Sequence, residues 1–329
     1  MPNKAAMCGK TNRTIKGGMV MPKRLILVAN DIENQTDSGK KRSHAIISAA
    51  SVLAQWLKTS IVLLFVEDSK TYPPGTLDST GIREWHSRHE VQLEEVSKQF
   101  PMPVSCSLKS GPPAEQILKT LRSRLAPELV IVGTQGRKGL KRLLVGSVAE
   151  EVIRYSKRPV MAIGPIAQEK DHPFTLQKQL KILVATDLSK NSRAAERYAL
   201  SLAMRTGAKV VLFNCLADSM RTIMETSAYA GTAPFNFDEI ITQIKHEAVA
   251  TLKQKASFFQ KHGISCEYKI EDNAVISACA VYQEADSYYS IIVMGTRGRN
   301  AFLNAFFGST ARETILNASV PVITVHSGR

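Results

Sequence analysis

Three blocks of the first half of this chain return in the second half, in the same order. RLILVAND at 24–31 matches KILVATD at 181–187, VIVGTQGR at 130–137 matches IVMGTRGR at 292–299, and RPVMAIGP at 158–165 is answered by VPVITVHS at 320–327. A period this long is that of a duplicated domain, since solenoid repeats recur every few tens of residues. The length agrees, because 329 residues exceed what one hydrophobic core usually serves. The join falls in GPIAQEKDHPFTLQKQL, 164–180, where proline, charge and amide side chains interrupt the apolar pattern. The chain therefore divides into a basic lead-in over 1–21, expected to be disordered, a first domain over 22–168 and a second over 169–329.

Within each half, short apolar runs alternate with helical stripes. LVIVG and IIVMG are apolar at consecutive positions, as strands buried on both faces require, whereas SRAAERYALSLAMR carries a stripe through Ala195, Tyr198, Ala199 and Leu202. In the first half the pattern predicts strands near 23–30, 60–66, 103–109, 128–133 and 158–164, and helices near 41–58, 80–99, 113–125 and 146–156. In the second it predicts strands near 180–186, 208–215, 264–270, 290–295 and 320–326, and helices near 191–206, 237–262, 274–285 and 308–318. The implied class is α/β: two tandem open, mostly parallel five-stranded sheets flanked by helices, Rossmann-like. Ligands of such sheets bind beyond the carboxyl ends of the strands, which directs attention to the residues after strands one, two and four.

There the sequence places glycines. Gly133 and Gly136 follow the fourth strand, nine residues intervene, and Gly146-Ser147 opens the next helix; Gly295, Gly298 and Gly308-Ser309 repeat this with the same interval. Glycine lets a ligand lie against bare backbone, and the unpaired N–H groups of a helix start favour an anion. Apolar residues inside the loop, Leu143, Leu144 and Val145 in one copy and Phe302, Phe306 and Phe307 in the other, can tie its middle down. The basic run Arg137, Lys138, Lys141, Arg142 either steers phosphates or keeps the loop in water. One charge at a helix terminus gains about 0.3–1 kcal/mol, whereas micromolar affinity needs about 8 kcal/mol. Several amides, the hydroxyls of Ser147, Ser309 and Thr310, and burial of a ring must therefore act together. The competing reading is that these glycines only make strand-to-helix turns, which a twice-kept interval disfavours.

Each half resembles a universal stress protein domain of the nucleotide-binding type, whose pattern is Gly-x2-Gly-x9-Gly-(Ser/Thr). The resemblance runs from about residue 22 to the end and implies an adenine-nucleotide α-hydrolase-like fold that binds ATP or a related adenine nucleotide. In such domains an Asp at the end of the first strand and a residue at the end of the second hold ribose and adenine. These roles carry over to Asp31 and Val66, and to Asp187 and Leu216. The loop contacts carry over to Gly133, Gly136, Arg137, Gly146, Ser147 and Val148, and to Gly295, Gly298, Arg299, Gly308, Ser309 and Thr310. Asp187 beside a triphosphate could take Mg²⁺, orient water or hold a ribose. The inserted IENQTDSGKK after Asp31 could displace that carboxylate or let Asp37 replace it, so if only one copy binds nucleotide the resemblance favours the second, whose ATDLSKNS is nearer the family form. It also implies pairing of the two domains through their last strands, PVMAIG and PVITVH, and allows a homodimer. The function implied is a nucleotide-dependent stress-response regulator or interaction module, the alternative being a slow ATPase or phosphotransfer enzyme in the same pockets.

Other classes find less support. No apolar run approaches the roughly 18 residues of a membrane span, and the lead-in lacks the apolar middle of a secretory signal. Five cysteines, odd in number and without a Cys-x-x-Cys pair, point to reduced thiols and a cytoplasmic location. The net charge of +14 attracts anions in general. A nucleic-acid partner is not indicated, because no reading module accompanies the charge. GKT at 9–11 lacks the leading glycine of a P-loop, position 4 being lysine. His86 and His89 sit three apart on a helix, and a solvated helix face is expected for them in preference to a metal site. No catalytic constellation presents itself.

Overall fold

The computed structural model describes residues 24–68, 79–124, 127–134, 145–169, 179–229, 237–272, 274, 276–286, 288–297 and 307–327. The lead-in and most of the join lie outside the described residues. The first half runs β1 (Leu25–Ala29), α1 (Asp37–Leu57), β2 (Ser60–Glu67), α2 (Ser79–Ser97), β3 (Ser105–Ser110), α3 (Pro113–Leu121), β4 (Leu129–Gly133), α4 (Ser147–Tyr155) and β5 (Val160–Ile163). A short helix α5 (Pro165–Glu169) leads out of it. The second half runs β6 (Lys181–Ala185), α6 (Arg193–Thr206), β7 (Lys209–Cys215), α7 (Ala217–Tyr229), α8 (Phe237–Lys261), β8 (Cys266–Glu271), α9 (Ser277–Ala285), β9 (Ile291–Gly295), α10 (Ser309–Asn317) and β10 (Val322–Val325).

Each half orders its strands alike, and together they make one ten-stranded sheet, β3-β2-β1-β4-β5-β10-β9-β6-β7-β8. All neighbours are parallel except β5 and β10, which run antiparallel with Val322 opposite Ala162, Ile323 opposite Met161 and Thr324 opposite Val160. Met161 and Ile323 occupy equivalent places in the two repeats, so a pseudo-twofold axis passes between them. The expected alternation of strand and helix is present in both halves, and the two five-stranded sheets are fused edge to edge.

The strand centres are buried on both faces: Ile26, Leu27, Leu63, Leu129 and Ile131 are among the fully buried side chains. Two apolar cores result, one on each face of the sheet, and each draws residues from both halves. Close contact at the junction needs a residue without a side chain: a Cβ on Gly164 would lie 1.8 Å from the carbonyl oxygen of Ile315. Arg205 of α6 grips Glu128 with two bonds of 2.8 and 3.0 Å, and Arg312 of α10 reaches Glu150 of α4 at 2.8 Å. Among the described residues, no helix is long and apolar enough to cross a membrane.

The helix α1 begins at Asp37, earlier than the expected 41, because Thr36 caps it: its hydroxyl accepts the Gly39 N–H at 3.1 Å, and Asp37 puts a carboxylate in the first turn. Helices α5 and α7 were not expected. The first is too short to show a period, and the second occupies the longer connection between β7 and β8.

Candidate functional site

At the carboxyl edge of the first-half sheet lies a cavity of about 260 Å³. The ends of β1, β2 and β4 and the start of α4 converge on it, as the parallel order of these strands dictates. Its lining includes Asp31, Val66, Gly133, Gly146, Ser147 and Val148, six of the first-half residues singled out in the sequence. Gly136 and Arg137, with Leu143 and Leu144, lie outside the described residues. Asp31 keeps its place at the end of β1 despite the insertion, and Asp37 stands exposed at the start of α1.

The start of α4 forms one end of the cavity. Val145, Gly146, Ser147, Val148 and Ala149 all line it, and no side chain caps the helix. Gly146 has φ +97°, a conformation that L side chains rarely adopt. The N–H groups of this first turn carry the positive end of the helix dipole. Val145 is fully buried and anchors the chain just before the helix.

The opposite end is acidic. Asp31, Glu33 and Asp68 line it, with Arg42 as the counter-charge. Arg42 is buried, and its Nη2 stands 3.2 Å from Asp31 Oδ2. Its stem runs under Gly133, where a Cβ would come within 2.6 Å of Arg42 Cγ, so the absence of a side chain there lets Arg42 in. Asn30, only 5% exposed, gives its amide Nδ2–H to Ser43 Oγ at 2.7 Å, while its Oδ1 is buried without a hydrogen-bonding partner. Pro113 and Ile117 of α3 supply an apolar wall. Asn30, Glu33, Arg42 and Asp68 were not found from sequence, since only the fold brings them to one cavity.

At the end of β2, on the sheet face that α2 covers, sits a cluster that corrects the expectation for the two histidines. His89 is 2% exposed, held between Trp85 and Phe65 by edge-on ring contacts of 4.9 and 5.1 Å. Its Nδ1 lies 2.7 Å from Glu67 Oε1, and His86 Nδ1 lies 2.9 Å from Glu67 Oε2, which also accepts from Ser110 Oγ at 2.9 Å. The helix face is solvated at His86 and buried at His89, because β2 ends on a carboxylate that needs donors. Burial pushes the Glu67 carboxyl up, but its bonds to His89, His86 and Ser110 outweigh this and hold it below the usual range. His89 Nε2 stands 3.0 Å from Glu33 Oε1. Burial, with Asp31 and Glu67 nearby, raises the Glu33 carboxyl despite His89.

The second half arranges the equivalent residues differently. The Asp187 carboxylate turns back on its own loop: Oδ1 accepts from Ser192 Oγ and from the Ser189 N–H, while Oδ2 is buried without a partner. Leu188 beside it takes φ +62°. Gly308 has φ −76°, unlike Gly146, and its N–H is spent on the Thr296 carbonyl at 2.8 Å. Ser309 and Thr310 open α10 and Gly295 closes β9, but Leu216 lines a separate cleft of about 400 Å³ with Asn214 and Ser219. Gly298, Arg299, Phe302 and Phe306 lie outside the described residues; Phe307 is buried, with the Arg312 guanidinium 5.6 Å from its ring centre. Among the described residues, no group of three or more His, Cys, Asp or Glu is disposed to hold a metal.

Residues 24–164 and again 180–326 match the universal stress protein family. A universal stress protein of Mycolicibacterium smegmatis is 20% identical over 263 residues, 78% of this chain and 82% of that protein. One from Synechocystis is 25% identical over 152 residues, 44% of this chain and 96% of that protein. One from Methanocaldococcus jannaschii is 31% identical over 72 residues, which are 22% of this chain and 42% of that protein. Among solved structures, the crystal structure of a universal stress protein from Archaeoglobus fulgidus has a TM-score of 0.65 at 20% identity, covering 92% of this chain and 98% of that one, a likeness of fold. With the family matched twice, once in each half of the sheet, this chain belongs to the universal stress protein family.

Proposed function

We propose that the protein binds ATP or a related adenine nucleotide in the first-half cavity and acts as a nucleotide-dependent stress-response regulator or interaction module. One observation carries this reading: a cavity whose two ends differ in chemistry as the two ends of a nucleotide do. The uncapped first turn of α4 offers N–H donors to phosphate oxygens. The far end offers Asp31, Glu33 and Asp68 to ribose hydroxyls and a base amine, with Val66, Pro113 and Ile117 against the ring. A Mg²⁺ ion would arrive with the triphosphate and be held by phosphate oxygens and water, as is usual for that ion.

The first half is the principal site in this reading. Its glycine before the helix is turned to positive φ, whereas Gly308 has committed its N–H to Thr296. The antiparallel β5–β10 pairing is read as an internal counterpart of a two-domain dimer, with the outer edges β3 and β8 at the far ends of the sheet. The absence of a disulfide among the described cysteines, Cys106, Cys215, Cys266 and Cys279, fits the reducing cytoplasm of this reading.

Heat denaturation of freshly purified protein, followed by chromatography of the supernatant, tests the reading. Release of an adenine nucleotide, with negligible phosphate production from added ATP, is the expected result. Steady phosphate release that disappears in a folded Asp31→Asn variant would favour the ATPase alternative. No released nucleotide and no titratable ATP binding would contradict both.

A further inference from the structure

Apart from the first-half cavity, a cleft of about 530 Å³ opens between α6 and α8. Both helices pack on one face of the sheet, where Ala195, Ala199 and Leu202 of α6 enter the same core as Leu252, Ala256 and Phe259 of α8. Above this core the cleft has cations on both banks, Arg193 and Arg197 from α6 and Lys255 and Lys261 from α8. Lys255 is held by Glu196, whose other oxygen accepts from Thr186 Oγ1 at 2.6 Å. Arg193, Arg197 and Lys261 are exposed, and among the described residues none of them has a carboxylate partner. Phe258 stands on the α8 bank, 51% exposed, its ring backed by that of His262 with centres 4.6 Å apart.

The fold does not require this pair of arginines. They lie one helical turn apart, where like charges repel and destabilise a helix. Helices α1 and α6 hold equivalent places in the two repeats, and both end on a left-handed residue, Lys58 and Gly207. Counted back from these, the first-half counterparts of Arg193 and Arg197 are His44 and Ser48. The same scaffold is therefore built without them.

Shape selects among anionic partners. Cations that face one another across a concave cleft suit a chain lying between them, whereas an anionic membrane meets basic residues spread over one surface. Single-stranded nucleic acid is held by successive aromatic platforms, and the cleft exposes one ring. Its α8 bank runs from Gln254 to Lys261, about 10 Å at 1.5 Å per residue, the length of about two turns of a docked helix. Carboxylates match the planar forks of Arg193 and Arg197, and an aromatic side chain between them matches Phe258.

We propose that the α6–α8 cleft is a docking surface for a short acidic segment of a partner protein, its carboxylates on Arg193 and Arg197 and an aromatic side chain against Phe258. This surface is separate from the first-half cavity, and the inference does not rest on the nucleotide reading.

Fluorescence anisotropy of a labelled EEEFEEE peptide with the intact protein tests it, with QQQFQQQ and EEEAEEE as comparison peptides. EEEFEEE is expected to bind most tightly of the three. Replacing Arg193→Glu together with Arg197→Glu is expected to weaken it at least about tenfold, since both charge contacts become repulsive. The pair Lys98→Glu with Lys119→Glu, an equal change of net charge at exposed sites on α3 and beyond the end of α2, is expected to leave it unaltered. Phe258→Ala is expected to erase the preference for EEEFEEE over EEEAEEE. No binding of EEEFEEE, binding of QQQFQQQ as tight, or equal weakening by the two double variants would overturn the proposal while leaving the nucleotide reading intact. Binding to phosphatidylglycerol vesicles in place of the peptide, lost with Arg193 and Arg197, would overturn it in favour of a lipid surface.

Discussion

The guanidinium of Arg42 stands 3.2 Å from the Asp31 carboxylate, on a stem that passes through the space a side chain on Gly133 would need. Helix α1, strand β1 and strand β4 are locked to one another at the floor of the cavity by this arrangement. A Gly133→Ala methyl would meet Arg42 Cγ at 2.6 Å and Ile46 Cδ1 at 2.8 Å. Arg42 must then move and release Asp31. We expect a stability loss of about 1–3 kcal/mol, typical of overpacking, and ATP affinity reduced about tenfold, the equivalent of one lost polar contact. Thermal unfolding and calorimetric titration check the two together, and unchanged affinity would show that Arg42 is not part of the binding surface.

The junction of the halves makes a second prediction by magnitude. Gly164→Ala would drive a methyl to 1.8 Å from a backbone oxygen, that of Ile315, which cannot rotate away. The Arg205–Glu128 pair is better placed to be lost cheaply, since its side chains are 25% and 21% exposed. Urea denaturation should show Gly164→Ala costing about 3 kcal/mol or more and Arg205→Ala only about 0.5–1 kcal/mol. The reverse order would mean that ion pairs, and not close backbone packing, hold the halves together.

A third prediction concerns acid. The folded Glu67 carboxyl titrates below its unfolded value of 4.5, so its contribution is complete above that pH and is lost as pH falls through the folded value. Glu33 runs the other way: raised by burial, it contributes at low pH and loses that contribution as pH rises. Glu67→Gln should therefore be less stable than the parent at pH 7, by about 1–3 kcal/mol for a buried group deprived of its charged bonds. The gap should narrow as pH falls below about 4.5. Denaturant midpoints for both proteins at neutral and acid pH give the comparison, and a gap that does not change with pH would exclude Glu67 as its source.

Much of this was legible in the sequence because it is local or repeated. Runs such as LVIVG announce doubly buried strands, and the common glycine interval announces equivalent loops in equivalent places. Asp31, Val66 and Gly146 could be named because strand ends in a parallel sheet share one edge. Asn30, Arg42 and Glu33 could not, since their convergence depends on how α1 and α2 lie across β1 and β2. His89 illustrates the limit: its partner Glu67 is 22 positions away, and nothing in the spacing His86–His89 shows which of the two will be buried. The difference between the copies was equally hidden. The resemblance favoured the second, were one copy alone to bind, because its ATDLSKNS is nearer the family form; what spacing does not show is that Ser189 and Ser192 of this stretch fold onto Asp187.

Val148 and Thr310 are the second residues of α4 and α10, equivalent positions in the two repeats. Calorimetric titration of ATP into Val148→Glu and Thr310→Glu therefore tests most directly whether the nucleotide lies at the α4 cavity. A carboxylate in the first turn of the correct helix meets the phosphates and should abolish binding, while the same change in the other helix should leave it unaltered. The account predicts loss in Val148→Glu and retention in Thr310→Glu; retention in Val148→Glu with loss in Thr310→Glu would contradict it.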